Sequence, residues 1–304
     1  MAIYSKKPVP KGAWDTHHHI FEPEKFPFAP GRHFTPSVAT LEDLNAFEKS
    51  IGVDHVCIAH GLSYGPDCTS LLYYLKQFND EARGICVIDE NSVTDETLDL
   101  YHAAGIRSVR LDFFKHQAMN DLEKQVALIE ATAARLAKWG PNGWSVQAQQ
   151  PHVEYWPRLR AVAKTLPVPL VIDHIGLLKG ESMADGSPDV TKASDFAELL
   201  GALADGNLWM KISAPYRNSY QDFEYLDLKS MVTKMVEANP KRVVWGSDWP
   251  HTQRHQDRVG KDPSAKEPFL KIDSAKWIES LSTWLSDEEW QALWVDNPRK
   301  LYDY

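Results

Sequence analysis

The chain has 304 residues, 43% hydrophobic and 25% charged, with a net charge of −9. That balance suits one large globular domain and excludes a disordered chain. The acidic charge, with no basic stripe, argues against a nucleic-acid partner, and no run reaches the ~18 apolar residues of a membrane span.

Taken in chain order, residues 1–12 lack the apolar core of a secretory signal, so a cytoplasmic protein is expected. Short β-rich apolar runs then alternate with segments of helical periodicity. Strands are expected at 13–15, 55–59, 84–88, 108–113, 144–148, 170–173, 208–212 and 243–247. Helices are expected at 41–51, 67–79, 94–104, 121–138, 154–166, 192–204 and 226–239, and after the last strand at 274–285 and 287–293. Thr40-Leu-Glu-Asp and Ser286-Asp-Glu-Glu read as capping boxes that start two of these helices. Cys57, Cys68 and Cys86 fit no zinc spacing; Cys57 and Cys86 lie in apolar runs and read as reduced core residues.

Eight strands alternating with helices predict an α/β fold, a single (β/α)8 TIM barrel over residues 1–304. The competing arrangement is an open doubly wound sheet. No Gly-rich phosphate loop follows the first strand. Polar candidates also collect at the C-terminal ends of strands one, four, six, seven and eight, which closure brings to one mouth.

Three motifs carry chemistry. In Asp15-Thr-His17-His18-His19, extended chain puts His17 and His19 on one face and His18 on the other. Two imidazoles on one face suit a metal or a set of hydrogen bonds. His174 ends an apolar strand just before Gly176, and Asp248 follows the last strand in Gly246-Ser-Asp-Trp-Pro-His251. A carboxylate there can serve as general base, metal ligand or both.

His-x-His after strand one, His after strand six and Asp after strand eight resemble the amidohydrolase superfamily. Within it the chain is similar to the lactonase branch that includes 2-pyrone-4,6-dicarboxylate lactonase, galactarolactone isomerase and sulfomuconolactonase. The likeness rests on His17-His-His-Ile-Phe-Glu-Pro, Arg32-His-Phe-Thr-Pro36, Gly105-Ile-Arg-Ser-Val-Arg110, Asp173-His-Ile-Gly176, Lys211-Ile-Ser-Ala-Pro-Tyr-Arg217, Gly246-Ser-Asp-Trp-Pro-His251 and Asn297-Pro-Arg-Lys-Leu-Tyr302. The resemblance implies a distorted barrel and ring opening of a small lactone. Asp248 would be the base that activates water. His17, His19 and His174 would polarise the carbonyl, or with Asp248 would hold one Zn2+. Arg110 and Arg217 would grip a carboxylate or ring oxygens. Tyr64, Tyr216, His116 and His251 are the further candidates for substrate contact.

This chain departs from the dicarboxylate lactonases. Lys115-His116 and Gly176-Leu177 stand where further arginines are expected, and Phe34 stands where a tyrosine is expected. Fewer pocket cations point away from a dicarboxylate, whose second buried charge would lack a partner. Strand five, Trp144-Ser-Val-Gln-Ala-Gln, has no histidine at its end, which argues against two metals. By resemblance no metal is obligatory, and one Zn2+ is the alternative. The partner is then a small lactone or carboxylic acid, and a homo-oligomer is compatible with the sequence. A mononuclear zinc decarboxylase of an aromatic or muconate-like acid is the competing activity, and a barrel that only binds a ligand is the competing class.

Overall fold

The structure, a computed structural model, describes residues 6–79 and 81–304. The reading of residues 1–5 as part of a non-secretory leader lies outside them. Eight strands form one parallel sheet whose neighbours follow chain order: β1 (Trp14–His18), β2 (His55–Ala59), β3 (Ala82–Cys86), β4 (Ile106–Arg110), β5 (Ser145–Ala148), β6 (Leu170–Ile172), β7 (Leu208–Ser213) and β8 (Val243–Gly246). An open doubly wound sheet would reverse strand order at a switch point; this one does not.

Closure between β8 and β1 is made by the same segments that carry the histidines and Asp248. Asp248 N donates to His17 O (2.7 Å), and His19 N donates to Trp249 O (2.8 Å). Thr16 Oγ1 donates to Trp245 O at 2.6 Å. The buried Asp15 carboxylate accepts from His17 N, Ser247 N and Ser247 Oγ. Gly246 permits this approach, because a Cβ there would lie 2.8 Å from His17 Cβ. The seam of the barrel and the positions of its candidate site residues are therefore set by one set of contacts.

The barrel interior is filled rather than hollow. Trp14, Cys57, Ala59, Ile85, Val171, Trp209 and Val244 pack together inside it, with Leu301 and Tyr302 against them. A second, larger core lies between sheet and helices. Leu122–Leu136 shows the pattern: Val126, Ile129, Ala133 and Leu136 are buried at helical spacing. Both expected capping boxes are present, at Thr40/Asp43 and Ser286/Glu289. All three cysteines are buried and free. Among the described residues no helix is long and apolar enough to cross a membrane.

Element ends differ from the sequence reading where burial and ladder pairing part company. β1 runs on through His18, since the histidine run is fully buried and still pairs, His18 opposite Ile58. β4 ends at Arg110, opposite Gln147. Leu111 and Phe113 are buried but belong to the following loop, so their apolar character reports packing rather than strand. The expected helix over 287–293 is longer: Asp287–Gln291 continues through a π turn, Ala292–Asp296, into Asn297–Leu301. Asn297 Nδ2 donates to Pro240 O and Val243 O and ties this segment to the start of β8.

Candidate active site

Four side chains from three strand ends converge at the C-terminal mouth. Nε2 of His19, His17 and His174 lie 3.5, 3.7 and 3.9 Å from one atom, Asp248 Oδ1. All four residues are buried. His18 faces the other way, as alternation requires, and sits beside Asp15 and Glu48. His174 (φ 57°) and Asp248 (φ 58°) occupy the left-handed region. Such residues cost about 1–3 kcal/mol each and persist where surrounding contacts over-determine them. Here Asn218 Nδ2 holds His174 O at 3.1 Å, and His17 O and His251 N bracket the Asp248 peptide.

The two oxygens of Asp248 have different surroundings. Oδ2 accepts from Tyr216 Oη (2.6 Å) and Arg217 Nε (2.8 Å). Among the described residues Oδ1 has no hydrogen-bond partner, and neither has His17 Nε2. Burial alone would push the Asp248 carboxyl up, but Arg217 and the imidazoles outweigh it and hold the group well below the usual carboxylate range. The histidines move the opposite way. Burial, then Lys211 and Arg110, hold His17 well below its ordinary value; burial does the same for His174 and lowers His19. An ionised carboxylate therefore faces three neutral rings.

Behind the rings lies a second layer. His19 Nδ1 is 2.7 Å from Ala59 O. A carbonyl only accepts, so that nitrogen carries the proton and the Nε2 lone pair points at Asp248 Oδ1. His174 Nδ1 meets Ser213 Oγ at 2.9 Å. His17 Nδ1 is 3.2 Å from Asp173 Oδ1 and 3.4 Å from Lys211 Nζ. Asp173 also receives Gln147 Nε2 (3.1 Å) and pairs with Arg110 Nε (3.5 Å), while Lys211 Nζ donates to Thr16 O (2.7 Å).

His17, His19 and Asp248 offer ligand atoms within 4.8 Å of one another, a nitrogen and oxygen set that suits one divalent cation such as Zn2+, with His174 Nε2 3.9 Å from Asp248 Oδ1 beside it. Two acceptors, His19 Nε2 and Asp248 Oδ1, face each other at 3.5 Å, which a cation between them would reconcile. A second ion at His17, His174 and Asp173 would lie against Lys211 and Arg110, both already opposite Asp173. Their positive charge opposes a second ion there.

The other sequence candidates divide. Arg110 is buried, ends β4 and turns a guanidinium with no hydrogen bond toward the cleft. Arg217 also borders the cleft, but its donors go to Asp248 Oδ2, Gln253 O, Thr252 O and Thr252 Oγ1. Arg217 and Tyr216 thus hold Asp248 rather than a ligand. Three expectations need correction. Tyr64 is buried against Phe21 and Phe28 and its hydroxyl accepts from Glu22 N, so loop proximity did not translate into cleft contact. His116 is drawn away by Glu90, 3.2 Å from its Nε2. His251 packs between Phe47 and Tyr216 with Nε2 3.3 Å from Ser274 Oγ.

Sequence reasoning missed Asp173 and Lys211. A lysine inside the apolar run Leu208–Ser213 was the available signal, since a fully buried lysine needs partners. It also missed Gln149, His255 and Arg258, which line the cleft from loops. Arg258 restores an arginine to the rim, but Glu267 takes its guanidinium (Nε 3.1 Å, Nη2 2.5 Å) and it stacks over Phe34 at 3.8 Å. With Phe34 and Arg258 among its walls, the free space over the centre is about 30 Å³.

Comparison with known proteins agrees with this geometry. A profile of the amidohydrolase family (Amidohydro_2) matches residues 14–304. A 2-pyrone-4,6-dicarboxylate hydrolase of Comamonas testosteroni is 32% identical, over 97% of this chain and 91% of its own. A 4-sulfomuconolactone hydrolase of Hydrogenophaga intermedia is 26% identical, over 97% and 89%. A crystal structure of an Agrobacterium tumefaciens protein in its apo form superposes with a TM-score of 0.77 at 23% identity, covering 98% of this chain and 97% of that one, and shares the fold. The chain belongs to the amidohydrolase family.

Proposed function

We propose that this protein is a lactone hydrolase acting on a small monocarboxylated lactone. The observation that carries this reading is the convergence of three imidazole Nε2 atoms on Asp248 Oδ1 while Oδ2 is clamped by Tyr216 and Arg217. The clamp leaves one basic oxygen free at the mouth. In the proposed reaction Asp248 Oδ1 takes a proton from water as the water oxygen bonds to the lactone carbonyl carbon, and the carbonyl electron pair moves onto oxygen. When that pair returns, the ring C–O bond breaks and Asp248 gives the proton to the leaving oxygen. Lactone plus water becomes one hydroxy acid.

A divalent cation on His17, His19, His174 and Asp248 would polarise the carbonyl and acidify water. The metal-free alternative asks the rings to donate to the oxyanion. His19 Nε2 is an acceptor, and burial opposes adding a proton there. That argument favours one bound cation over the metal-free expectation. Two of the relatives reported above are named as a pyrone dicarboxylate hydrolase and a sulfomuconolactone hydrolase, and neither is named as a decarboxylase.

Charge bookkeeping supports a single substrate carboxylate. Arg217 is paired with Asp248, Arg258 with Glu267 and Arg254 with Asp257. Asp173 stands between Arg110 and Lys211, so that trio keeps one net positive charge, and Arg110 presents it to the cleft. Matched lactones as free carboxylate and methyl ester test this. Wild type is expected to prefer the carboxylate, and Arg110→Met should cut that preference by about 10–100-fold, the worth of a charge-assisted bond of roughly 1.5–3 kcal/mol. An unchanged preference would remove Arg110 as the carboxylate grip.

A further inference from the structure

A second chamber of about 190 Å³ opens beside the catalytic cleft. Its apolar walls are Phe114 and Met119 after β4, Pro151 after β5, and Leu177 and Met183 after β6. Arg217 and His255 line both spaces, so the two adjoin at these side chains. The junction is well held. His255 Nε2 lies 3.0 Å from Gln149 Oε1, and its ring packs 4.7 Å from Phe114. Burial and the nearby arginines push His255 down to about 3, so it presents a neutral ring. Of the three Lys and Arg side chains lining the chamber, Arg217 is engaged with Asp248 and Arg254 with Tyr216 O and Asp257, while Lys179 is solvent-exposed.

Phe114 is 40% exposed, the one large aromatic this chamber leaves in water among the described residues. The catalytic cleft has about 30 Å³ free and, through Arg110 of the Arg110–Asp173–Lys211 trio, one net positive charge. So little space leaves no room for substrate bulk beyond a small ring and a carboxylate. Substrate bulk beyond those has a preformed apolar space next door, and a dry apolar cavity of about 150 Å³ is known to accept a benzene ring.

We propose that this chamber is a substrate subsite for an uncharged apolar or aromatic arm, so that the lactone carries one carboxylate toward Arg110 and one phenyl-sized substituent toward Phe114, Met119, Leu177 and Met183. The proposal rests on the lactonase reading above. It separates this chain from a dicarboxylate hydrolase by what fills the position of the second charge.

The test uses 5-oxotetrahydrofuran-2-carboxylate and its 2-methyl, 2-ethyl, 2-propyl and 2-phenyl derivatives. With wild type, kcat/KM is expected to rise about fourfold per methylene along the alkyl series, the equivalent of about 0.8 kcal/mol per buried CH2, and to be high for phenyl. Met119→Glu and, separately, Phe114→Asp are expected to flatten that series; both positions are partly exposed, and circular dichroism confirms folding. If the parent lactone is opened but the wild-type series is flat or falls, the subsite is wrong and the lactonase reading stands. A rising series that neither variant changes also overturns the subsite. If no member and no other carboxylated lactone is opened, the lactonase reading itself fails.

Discussion

Replacing Asp248 by Asn is expected to lower kcat/KM by about 10^2–10^4-fold, the usual contribution of a positioned general base. The substitution keeps shape and volume. Its carbonyl oxygen can still accept from Tyr216 and Arg217, and its amide can donate toward the His19 Nε2 lone pair. Folding should therefore survive, with some stability lost because Arg217 no longer faces a charge. Steady-state kinetics beside thermal melts will separate the two effects. Activity within tenfold of wild type would remove Asp248 as the base.

Arg217→Met should act on stability and pH dependence together. It leaves the buried carboxylate with Tyr216 alone, and removing one partner of a buried ion pair typically costs about 3–5 kcal/mol. It also frees Thr252 and Gln253, whose loop Arg217 ties down. The pH effect has a definite sign. Arg217 is the main influence holding Asp248 low, against burial that pushes it up. A depressed carboxyl contributes stability that is present above its unfolded value and lost as pH falls through the folded one. Without Arg217 burial dominates, so the acid limb of kcat/KM should move to higher pH and the stability gained from ionisation should shrink. Arg217→Lys keeps charge without the planar fork and should restore part of both. An acid limb that stays in place in Arg217→Met would show that the guanidinium does not set the base.

The four-residue centre was legible because each member sits at a strand end that the alternating pattern already locates. His17 and His19 share a face by strand period, and their divergence from His18 follows from the same rule. The roles of Arg217 and Tyr216 were not legible. Sequence placed them at the mouth, but whether a guanidinium meets a ligand or a neighbouring carboxylate depends on a contact across 31 residues of chain. Tyr64, His116 and His251 show the same limit for loops: position near the mouth does not fix side-chain direction, and each finds a local partner instead. The apolar chamber is composed of Phe114, Met119, Pro151, Leu177 and Met183 from three loops, with no shared motif to announce it. Lys211 was the readable exception, a charge in the middle of an apolar strand.

In the proposed reaction water, deprotonated at Asp248, attacks a lactone carbonyl. Turnover of a carboxylated lactone in H2(18)O, followed by mass spectrometry of the product, tests it directly. One 18O atom is expected in the newly formed carboxylate, none in the hydroxyl released from the ring, and no CO2. Product without label would mean that the ring oxygen is exchanged within the substrate, as in a lactone isomerisation, and would contradict hydrolysis at this site.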